Sequence, residues 1–254
     1  MNTQHDNDGA SSVHKGKYDV FEYRQFTIRQ THAAMKVGTD SDLLGTLSQG
    51  GTQILDIGTG TGILSLMLAQ RYPESRITAI EIDNDAILDA RYNFEQSQYH
   101  NRISLEHISF QDYLEKHTGE ETFDSIVCNP PYFDKSLECP NLGRARARHS
   151  SSLPFEVLIH GAYTLLQPDG IFSVNITPEV FDNFTALCQK EGFSLQNIYR
   201  IQTIPGKAPK RFILCYKKGI VDEVIDALHC MRNADGSRSE WYLNQLRAFL
   251  IVKV

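Results

Sequence analysis

The hydrophobic positions of the chain form short apolar runs that alternate with segments of helical period. The runs, rich in Ile, Val, Leu and Phe, predict seven strands, at residues 53–57, 76–82, 103–108, 123–128, 170–176, 195–204 and 211–217. Segments with apolar residues three or four positions apart predict helices at residues 41–47, 63–70, 84–97, 155–166 and 179–190. Strands that alternate with helices indicate an α/β protein with a mostly parallel sheet and helices on both faces.

The connection between the last two predicted strands fixes their relative direction. Residues 205–209 read Pro-Gly-Lys-Ala-Pro, and no helix separates the two strands. A short loop of this kind joins only antiparallel neighbours, so the seventh strand is expected to run opposite to the other six. The result is a doubly wound, Rossmann-like sheet, in which ligands bind at the carboxyl ends of the strands where the strand order reverses.

Composition and length favour one folded unit. The 254 residues fit a single domain of residues 18–254 behind a polar leader, 1–17, that we expect to be disordered. Within the domain, residues 18–50 are expected to cover a cofactor and 219–254 to form a C-terminal appendage. No apolar run is long enough to cross a membrane, and we expect a cytoplasmic protein. The five cysteines lack C-x-x-C spacing, which disfavours a metal site and a disulfide framework.

A glycine-rich loop follows the first predicted strand. Residues 56–63 read Asp-Ile-Gly-Thr-Gly-Thr-Gly-Ile, and Gly58, Gly60 and Gly62 permit a sharp turn and a close approach to a ligand. This G-x-G-x-G spacing, with isoleucine where a third small residue is expected, differs from the dinucleotide fingerprint G-x-G-x-x-G/A and disfavours a nicotinamide cofactor. Asp56 is placed to bind an ammonium group, directly or through water, and would repel a pyrophosphate.

The ends of the second and third strands carry further candidate ligand contacts. Glu81 is placed to accept both hydroxyls of an adenosine ribose, and Ile82 is placed to pack on the adenine. Asp83 is the expected cap of the helix that follows. Ser109 and Phe110 fall where the adenine would lie, although an acidic residue is more usual there.

The tetrapeptide Asn-Pro-Pro-Tyr directly follows the fourth predicted strand and suits a planar amino nitrogen. The side-chain carbonyl of Asn129, which also borders the cofactor site, and the backbone carbonyl of Pro130 can accept both N–H groups of such an amine. Two acceptors free the nitrogen lone pair and stabilise the positive charge that develops on methylation. Pro131 adds rigidity, and Tyr132 or Phe133 can stack on a flipped base. Together with the glycine loop, the tetrapeptide predicts methyl transfer from S-adenosylmethionine to an amino nitrogen.

Positive charge is clustered although the chain as a whole is acidic. The net charge of −6 provides no general attraction to nucleic acid. Six basic residues nevertheless fall in two groups near the predicted site: Arg144, Arg146, Arg148, Lys207, Lys210 and Arg211. Our hypothesis is that both groups bind RNA phosphates, which positions a substrate without reading its sequence.

The motifs together resemble those of a known enzyme family. Asn-Pro-Pro-Tyr after a glycine loop is similar to the N/D-P-P-Y/F/W amino-methyltransferases. Residues 24–40, Arg-Gln-Phe-Thr-Ile-Arg-Gln-Thr-His-Ala-Ala-Met-Lys-Val-Gly-Thr-Asp, followed by Leu-Leu-Gly at 43–45, resemble the bacterial tRNA(Val) adenine-N6-methyltransferases, which methylate adenine 37 beside the anticodon. The resemblance implies a class I methyltransferase fold, S-adenosylmethionine, a tRNA substrate and a cofactor site lined by Lys36 and Thr39. Without the family, Thr39 and Asp42 are expected to cap the helix at 41–47.

Other functions use related motifs. Ribosomal RNA guanine-N2 methyltransferases have similar loops. Protein-glutamine N5-methyltransferases also use Asn-Pro-Pro-Tyr, but their helical N-terminal domain is larger than the segment before the first strand here. A non-catalytic S-adenosylmethionine-binding module is a different class, which the intact tetrapeptide disfavours. We expect tRNA as the partner, no metal, no membrane association and a monomer.

Overall fold

The computed structural model describes residues 19–117, 119–130 and 153–251. Its strands are β1 (Val20–Glu22), β2 (Thr27–Arg29), β3 (Gln53–Ile57), β4 (Arg76–Glu81), β5 (Ile103–His107), β6 (Phe123–Cys128), β7 (Leu166–Ile176), β8 (Ser194–Gln202), β9 (Arg211–Lys217) and β10 (Ile225–Cys230). Its helices are α1 (Thr39–Leu47), α2 (Ile63–Arg71), α3 (Ala86–Glu95), α4 (Phe110–Lys116), α5 (Phe155–Leu165), α6 (Phe181–Glu191) and α7 (Glu240–Leu246). The predictions for the leader, Pro131, Tyr132, Phe133, Arg144, Arg146 and Arg148 concern residues outside these ranges.

Within the described ranges, the main sheet has eight strands in the order β10-β8-β9-β7-β6-β3-β4-β5. All neighbouring pairs are parallel except those of β9, which is antiparallel to both β7 and β8. This confirms the α/β class and the reversed direction of the strand at 211–217. It also puts the change in strand order at β3, between β4 and β6, so the crevice at the carboxyl end of β3 is the expected ligand site.

The predicted number of seven strands is wrong, because β10 adds an eighth strand at one edge of the sheet. β10 pairs in parallel with β8, from Ile225 opposite Asn197 to Cys230 opposite Gln202. Its residues read Ile-Asp-Ala-Leu-His-Cys, and none of them is fully buried. They lack the alternation of apolar and polar residues by which a strand is recognised in a sequence. The C-terminal appendage is therefore partly built into the sheet by backbone pairing.

Helices cover both faces of the sheet around two separate apolar clusters. One cluster joins α1, α2, α3 and α7 to the sheet, and it includes Leu44, Met67 and Leu246. The other joins α4, α5 and α6 to the opposite face, and it includes Leu158 and Phe184. The strands between them are apolar on both faces, as a parallel sheet buried between two helical layers requires. This rigid frame fixes the positions of the loops at the carboxyl ends of the strands.

The start of α1 differs from the predicted cap. The helix begins at Thr39 behind Gly38, and it is Ser41 whose hydroxyl accepts the N–H of Gly38 at 3.3 Å. Asp42 instead lies buried and accepts the Tyr23 hydroxyl at 2.5 Å. The capping prediction for Thr39 and Asp42 is therefore wrong, because Asp42 bonds across the core to the N-terminal segment.

The N-terminal hairpin of β1 and β2 is attached to α3 by two buried side chains. The Asp89 carboxylate accepts the N–H groups of His32 and Ala33 at 2.8 and 2.9 Å. The Asn93 amide oxygen accepts the Arg29 N–H at 2.8 Å, and its NH2 group donates to the carbonyls of Arg29 and Thr61 at 2.8 Å each. Because Thr61 belongs to the glycine loop, Asn93 links the segment at 18–50 to that loop.

Within the residues that the structure describes, no helix is long and apolar enough to cross a membrane. The same residues contain no cluster of His, Cys, Asp and Glu able to hold a metal ion. Cys128, Cys188 and Cys215 are buried free thiols, and Cys230 is a half-buried free thiol.

Candidate active site

Strand register brings the motifs together at one edge of the sheet. Ile57 at the end of β3 pairs with Ile80 of β4 and with Cys128 of β6, and Cys128 pairs with Val174 of β7. The residues that directly follow these four paired residues are therefore also neighbours across the sheet. Four polar or flexible positions therefore stand side by side at the carboxyl edge: Glu81, Gly58, Asn129 and Asn175.

The glycine loop has the backbone conformation that only glycine adopts without strain. Gly58 and Gly60 have φ values of +69° and +59°, and a Cβ at either position would meet no atom within 4 Å. The loop therefore presents bare backbone to open space. Gly62, with φ of +85°, begins α2 against the Phe94 ring, where a Cβ would collide. The first two glycines leave room for a ligand, and the third lets the helix pack closely.

Asp56 is fully buried beneath the loop, and within the described part of the chain only one of its two carboxylate oxygens is hydrogen-bonded. One carboxylate oxygen accepts the Thr59 hydroxyl at 2.6 Å, the Ser65 hydroxyl at 2.7 Å and the Ser65 N–H at 3.1 Å. The other oxygen has no hydrogen-bond partner among the described residues. Burial raises the pKa of Asp56 to about 6 against the lowering effect of these bonds. A buried carboxylate oxygen without a partner is costly, so this geometry suits a cationic ligand group.

Glu81 connects the end of β4 to the glycine loop. Its carboxylate accepts the Gly60 N–H through one oxygen and the N–H groups of Ile82 and Asp83 through the other, each at 2.8 Å. The side chain is buried, and burial raises its pKa against the effect of these bonds. The carboxylate oxygens can accept up to about four hydrogen bonds in all, so Glu81 retains capacity for a ribose hydroxyl.

Of the other candidate cofactor contacts, Ile82 has a side chain that is free to bind a ligand, whereas Asp83, Ser109 and Phe110 already have structural roles. Ile82 is 47% exposed, an unusual exposure for isoleucine that leaves its side chain available to a flat ring. The Asp83 carboxylate accepts the N–H groups of Asp85 and Ala86 at 2.9 and 2.7 Å, which confirms its role at the start of α3. Ser109 caps α4 through the Asp112 N–H at 3.0 Å. Phe110 is buried in the core against Gly161, so its ring does not face the crevice.

Lys36 lies just before α1, and Thr39 lies at its start. The Lys36 ammonium donates to the Gln30 carbonyl and lies 3.6 Å from the Asp19 carboxylate. Thr39 is the first residue of α1 and bonds to the Tyr242 side chain. The Lys36 contacts therefore stay within the N-terminal segment, and the Thr39 contact ties the start of α1 to α7. The resemblance implies a cofactor contact at both residues.

Asn129 and Pro130 directly follow β6, as predicted, and the structure adds a partner for Asn129. The Asn175 NH2 group donates to the Asn129 side-chain oxygen at 3.1 Å. Asn175 is fully buried on β7, 46 residues further along the chain. Asn175 is not among the residues predicted for the site, although the sequence carries one signal for it. Asn175 is a primary amide inside the strand run Gly-Ile-Phe-Ser-Val-Asn-Ile, where an apolar residue is expected.

Three of the six basic residues proposed to bind RNA belong to the described residues, and they lie at the carboxyl edge of the sheet. Lys207 and Lys210 are exposed on the loop between β8 and β9. The Arg211 guanidinium donates to the Asp40 carboxylate at 2.9 Å. Arg211 therefore connects β9 to the start of α1, whereas the two lysines extend into solvent.

Comparison with known proteins identifies the family. Residues 31–196 match the methyltransferase small domain. The tRNA1(Val) (adenine(37)-N6)-methyltransferase of Phocaeicola vulgatus is 44% identical over 210 residues, which cover 82% of this chain and 88% of that protein. The enzyme of the same name from Shewanella loihica is 37% identical over 241 residues, which cover 91% of this chain and 98% of that protein.

The fold is shared more widely than the sequence. The crystal structure of a predicted O-methyltransferase from Agrobacterium tumefaciens superposes with a TM-score of 0.64 and 19% identity, and the match covers 83% of this chain and 96% of that one. At this identity the likeness concerns the fold alone. The sequence matches are much closer and extend over most of both chains. By its sequence, this chain belongs to the tRNA1(Val) (adenine(37)-N6)-methyltransferase family.

Proposed function

We propose that the protein transfers a methyl group from S-adenosylmethionine to N6 of adenine 37 in tRNA1(Val). The observation that carries this proposal is the position of the Asn129 amide oxygen. It stands at the carboxyl end of β6, beside the open glycine loop of β3, and is held by the Asn175 amide. An acceptor at that point suits an exocyclic amine, because methylation of the amine puts positive charge on a nitrogen whose N–H groups need acceptors.

The cofactor fits the residues around the glycine loop. Gly58 and Gly60 present backbone to open space, and the Asp56 oxygen without a partner suits the ammonium of a methionine group. Glu81 is placed for the ribose hydroxyls and Ile82 for the adenine ring. When bound there, S-adenosylmethionine supplies a methyl group on a positively charged sulfur, and the sulfur keeps the bonding pair when the methyl group leaves.

The substrate amine is positioned by two neutral oxygen acceptors. The Asn129 side-chain oxygen and the Pro130 carbonyl take its two N–H groups, which turns the nitrogen lone pair toward the cofactor crevice. The lone pair then forms the new nitrogen–carbon bond. Neither oxygen is basic enough to remove the proton, so the extra proton leaves to water after the bond has formed. Pro131 and Tyr132 remain predicted members of this site.

The tRNA is held in part by the loop between β8 and β9. Lys207 and Lys210 are exposed there at the carboxyl edge of the sheet, and each suits one phosphate. Arg144, Arg146, Arg148 and Phe133 remain predicted contacts, and so does Arg211, which would first have to share its guanidinium with Asp40. A tRNA substrate places the reaction in the cytoplasm.

One assay tests the reaction and its product. The protein is incubated with labelled S-adenosylmethionine and total RNA from a strain that lacks the enzyme, and the digested RNA is analysed for methylated nucleosides. The expected product is N6-methyladenosine confined to tRNA1(Val), at position 37. N2-methylguanosine or labelled protein would contradict the proposal, and so would cofactor binding without transfer.

A salt titration tests the surface that binds tRNA. The double variant Lys207→Ala/Lys210→Ala is expected to bind tRNA more weakly, with the slope of log affinity against log salt reduced by about one for each lost phosphate contact. The matched control is Arg76→Ala/Lys190→Ala, which removes two exposed charges from the amino edge of the sheet. Equal salt slopes for the two double variants would show that the loop between β8 and β9 does not contact tRNA phosphates.

A further inference from the structure

We infer that Asn175 is a positioning residue that selects which atom of the Asn129 amide faces the substrate amine. The inference rests on the proposed function, because it assigns a role to Asn175 only if Asn129 binds the amine. The two halves of a primary amide have opposite hydrogen-bonding character: the oxygen accepts and the NH2 group donates. If the Asn129 side chain turned over by half a rotation, its NH2 group would face the N–H groups of the substrate.

The contact between the two amides opposes that rotation. Asn175 donates from its NH2 group to the Asn129 oxygen at 3.1 Å. With Asn175 as the donor, a reversed Asn129 would set two donors against each other in a half-buried place, where an unmade hydrogen bond is costly. The Asn129 oxygen has two lone pairs, so it can accept from Asn175 and from the amine together.

The backbone around Asn175 allows little adjustment. The residue lies on β7 between β6 and β9, paired with Ile213, and it has no exposed surface. Val174 and Ile176 on either side point into the apolar cluster of the opposite face. A buried amide at such a position costs stability unless it is hydrogen-bonded. The bond to Asn129 gives this amide a function that an apolar residue of the same size cannot supply.

Two substitutions of similar volume separate this role from packing. Asn175→Asp puts an acceptor where the donor was, so Asn129 turns its NH2 group toward it and away from the productive orientation. We expect kcat to fall about 10- to 100-fold at pH 8, the range typical of one misplaced buried hydrogen bond. Asn175→Leu removes the donor without supplying an acceptor, so the Asn129 amide would sample both orientations. We therefore expect a smaller fall in kcat, about 2- to 10-fold.

The pH profile provides a readout that packing does not move. A buried carboxyl group at position 175 would have a raised pKa, and once protonated it could again donate to Asn129. The ratio of wild-type to Asn175→Asp kcat is therefore expected to shrink as the pH falls from 8 to 6, whereas the ratio for Asn175→Leu stays constant. A constant ratio for both variants, or equal losses in both, would overturn the inference.

A double-mutant cycle and two binding measurements complete the test. Because Asn175 acts through Asn129, Asn129→Ala/Asn175→Asp is expected to be no slower than Asn129→Ala alone. The Kd values for S-adenosylmethionine and tRNA are expected to stay within about twofold of wild type, because neither ligand touches Asn175 in this scheme. Additive losses in kcat would assign Asn175 a purely structural role.

The outcomes also separate this inference from the proposed function. If wild type methylates tRNA1(Val) and Asn175→Asp does so at the wild-type rate, only the positioning role fails. If wild type transfers no methyl group to tRNA, the proposed function fails. In that case 15N-labelled asparagine side chains still report on the amide contact: replacement of Asn175 by Asp or Leu is expected to shift the Asn129 NH2 resonances differently. Identical shifts would contradict the contact.

Discussion

The two halves of the crevice are organised in different ways. On the side of β3 and β4, Asp56 and Glu81 bond mainly to residues close to them in the chain. These partners are Thr59 and Ser65 for Asp56, and Ile82 and Asp83 for Glu81. Of these bonds, only that between Glu81 and Gly60 spans a longer interval. On the side of β6 and β7, Asn129 depends on Asn175, 46 residues away. A cofactor site built from local turns can be recognised as a motif. A substrate site built across strands cannot, because its second member is defined only by strand register.

The largest effect is expected from Asn129→Ala, which removes the substrate side of the crevice. Loss of an acceptor that stabilises the developing charge should lower kcat by about 100- to 1,000-fold. The Kd for S-adenosylmethionine should change little, because the cofactor side is organised separately. Steady-state kinetics and calorimetry measure the two quantities, and Asn183→Ala, at an exposed position on α6, is the matched control. A large loss of cofactor affinity with unchanged kcat would contradict the separation of the crevice into a cofactor side and a substrate side.

A smaller effect, and the opposite pattern, is expected from Glu81→Gln. Replacing the carboxylate weakens charge-assisted bonds to the loop and to the ribose, so the Kd for S-adenosylmethionine should rise about 10- to 100-fold. At saturating cofactor, kcat should remain close to the wild-type value. Glu74→Gln, which changes an exposed carboxylate at the amino edge of the sheet, is the control. Unchanged affinity would remove Glu81 from the cofactor site.

Asn93→Ala tests the hydrogen bonds that join the N-terminal hairpin to the glycine loop on the cofactor side. It removes three hydrogen bonds between α3, the N-terminal hairpin and the glycine loop. We expect the free energy of unfolding to fall by about 1–3 kcal/mol, because the partner groups are left unsatisfied. Denaturant titration measures the loss, with exposed Asn101→Ala as the control. A loss below 0.5 kcal/mol, estimated as about the level of a neutral surface change, would mean that these bonds contribute little.

The smallest effect is a pH dependence that comes from Asp56. Its folded pKa of about 6 lies above its ordinary value, so burial favours the protonated form. In the unliganded protein this group contributes stability that is fully present below about pH 4 and is lost as the pH rises through about 6. A cationic ligand group needs the carboxylate, so affinity for S-adenosylmethionine should fall by at most about tenfold per pH unit below pH 6.

Asp56→Asn provides the control for that pH dependence. The amide does not titrate, so both the loss of stability between about pH 4 and 6 and the loss of affinity below about pH 6 should disappear. Calorimetric titration and thermal unfolding across this range measure the two effects. A variant that keeps the wild-type pH profile would show that another group is responsible.

Prediction from sequence succeeded where a motif and a buried strand coincide. The strands at 53–57 and 123–128 have the predicted bounds, and the loops after them carry the residues expected there. Prediction failed for β10, whose residues carry no alternation of apolar and polar positions, and for α4, whose seven residues are too few to show a helical period. Phe110 was expected beside adenine but is buried against α5, because the start of α4 turns its ring into the core.

The sequence alone determined the seven predicted strands, the glycine loop, the tetrapeptide and, through the two motifs, the family. These features are local, because a turn that needs glycine or a rigid pair of prolines depends only on adjacent residues. Tertiary structure alone decided that Asp42 bonds to Tyr23, that Asn93 ties the hairpin to the loop, and that Asn175 holds Asn129. The reason is physical, since a hydrogen bond between distant residues depends on strand register and helix packing, which no short stretch of chain specifies.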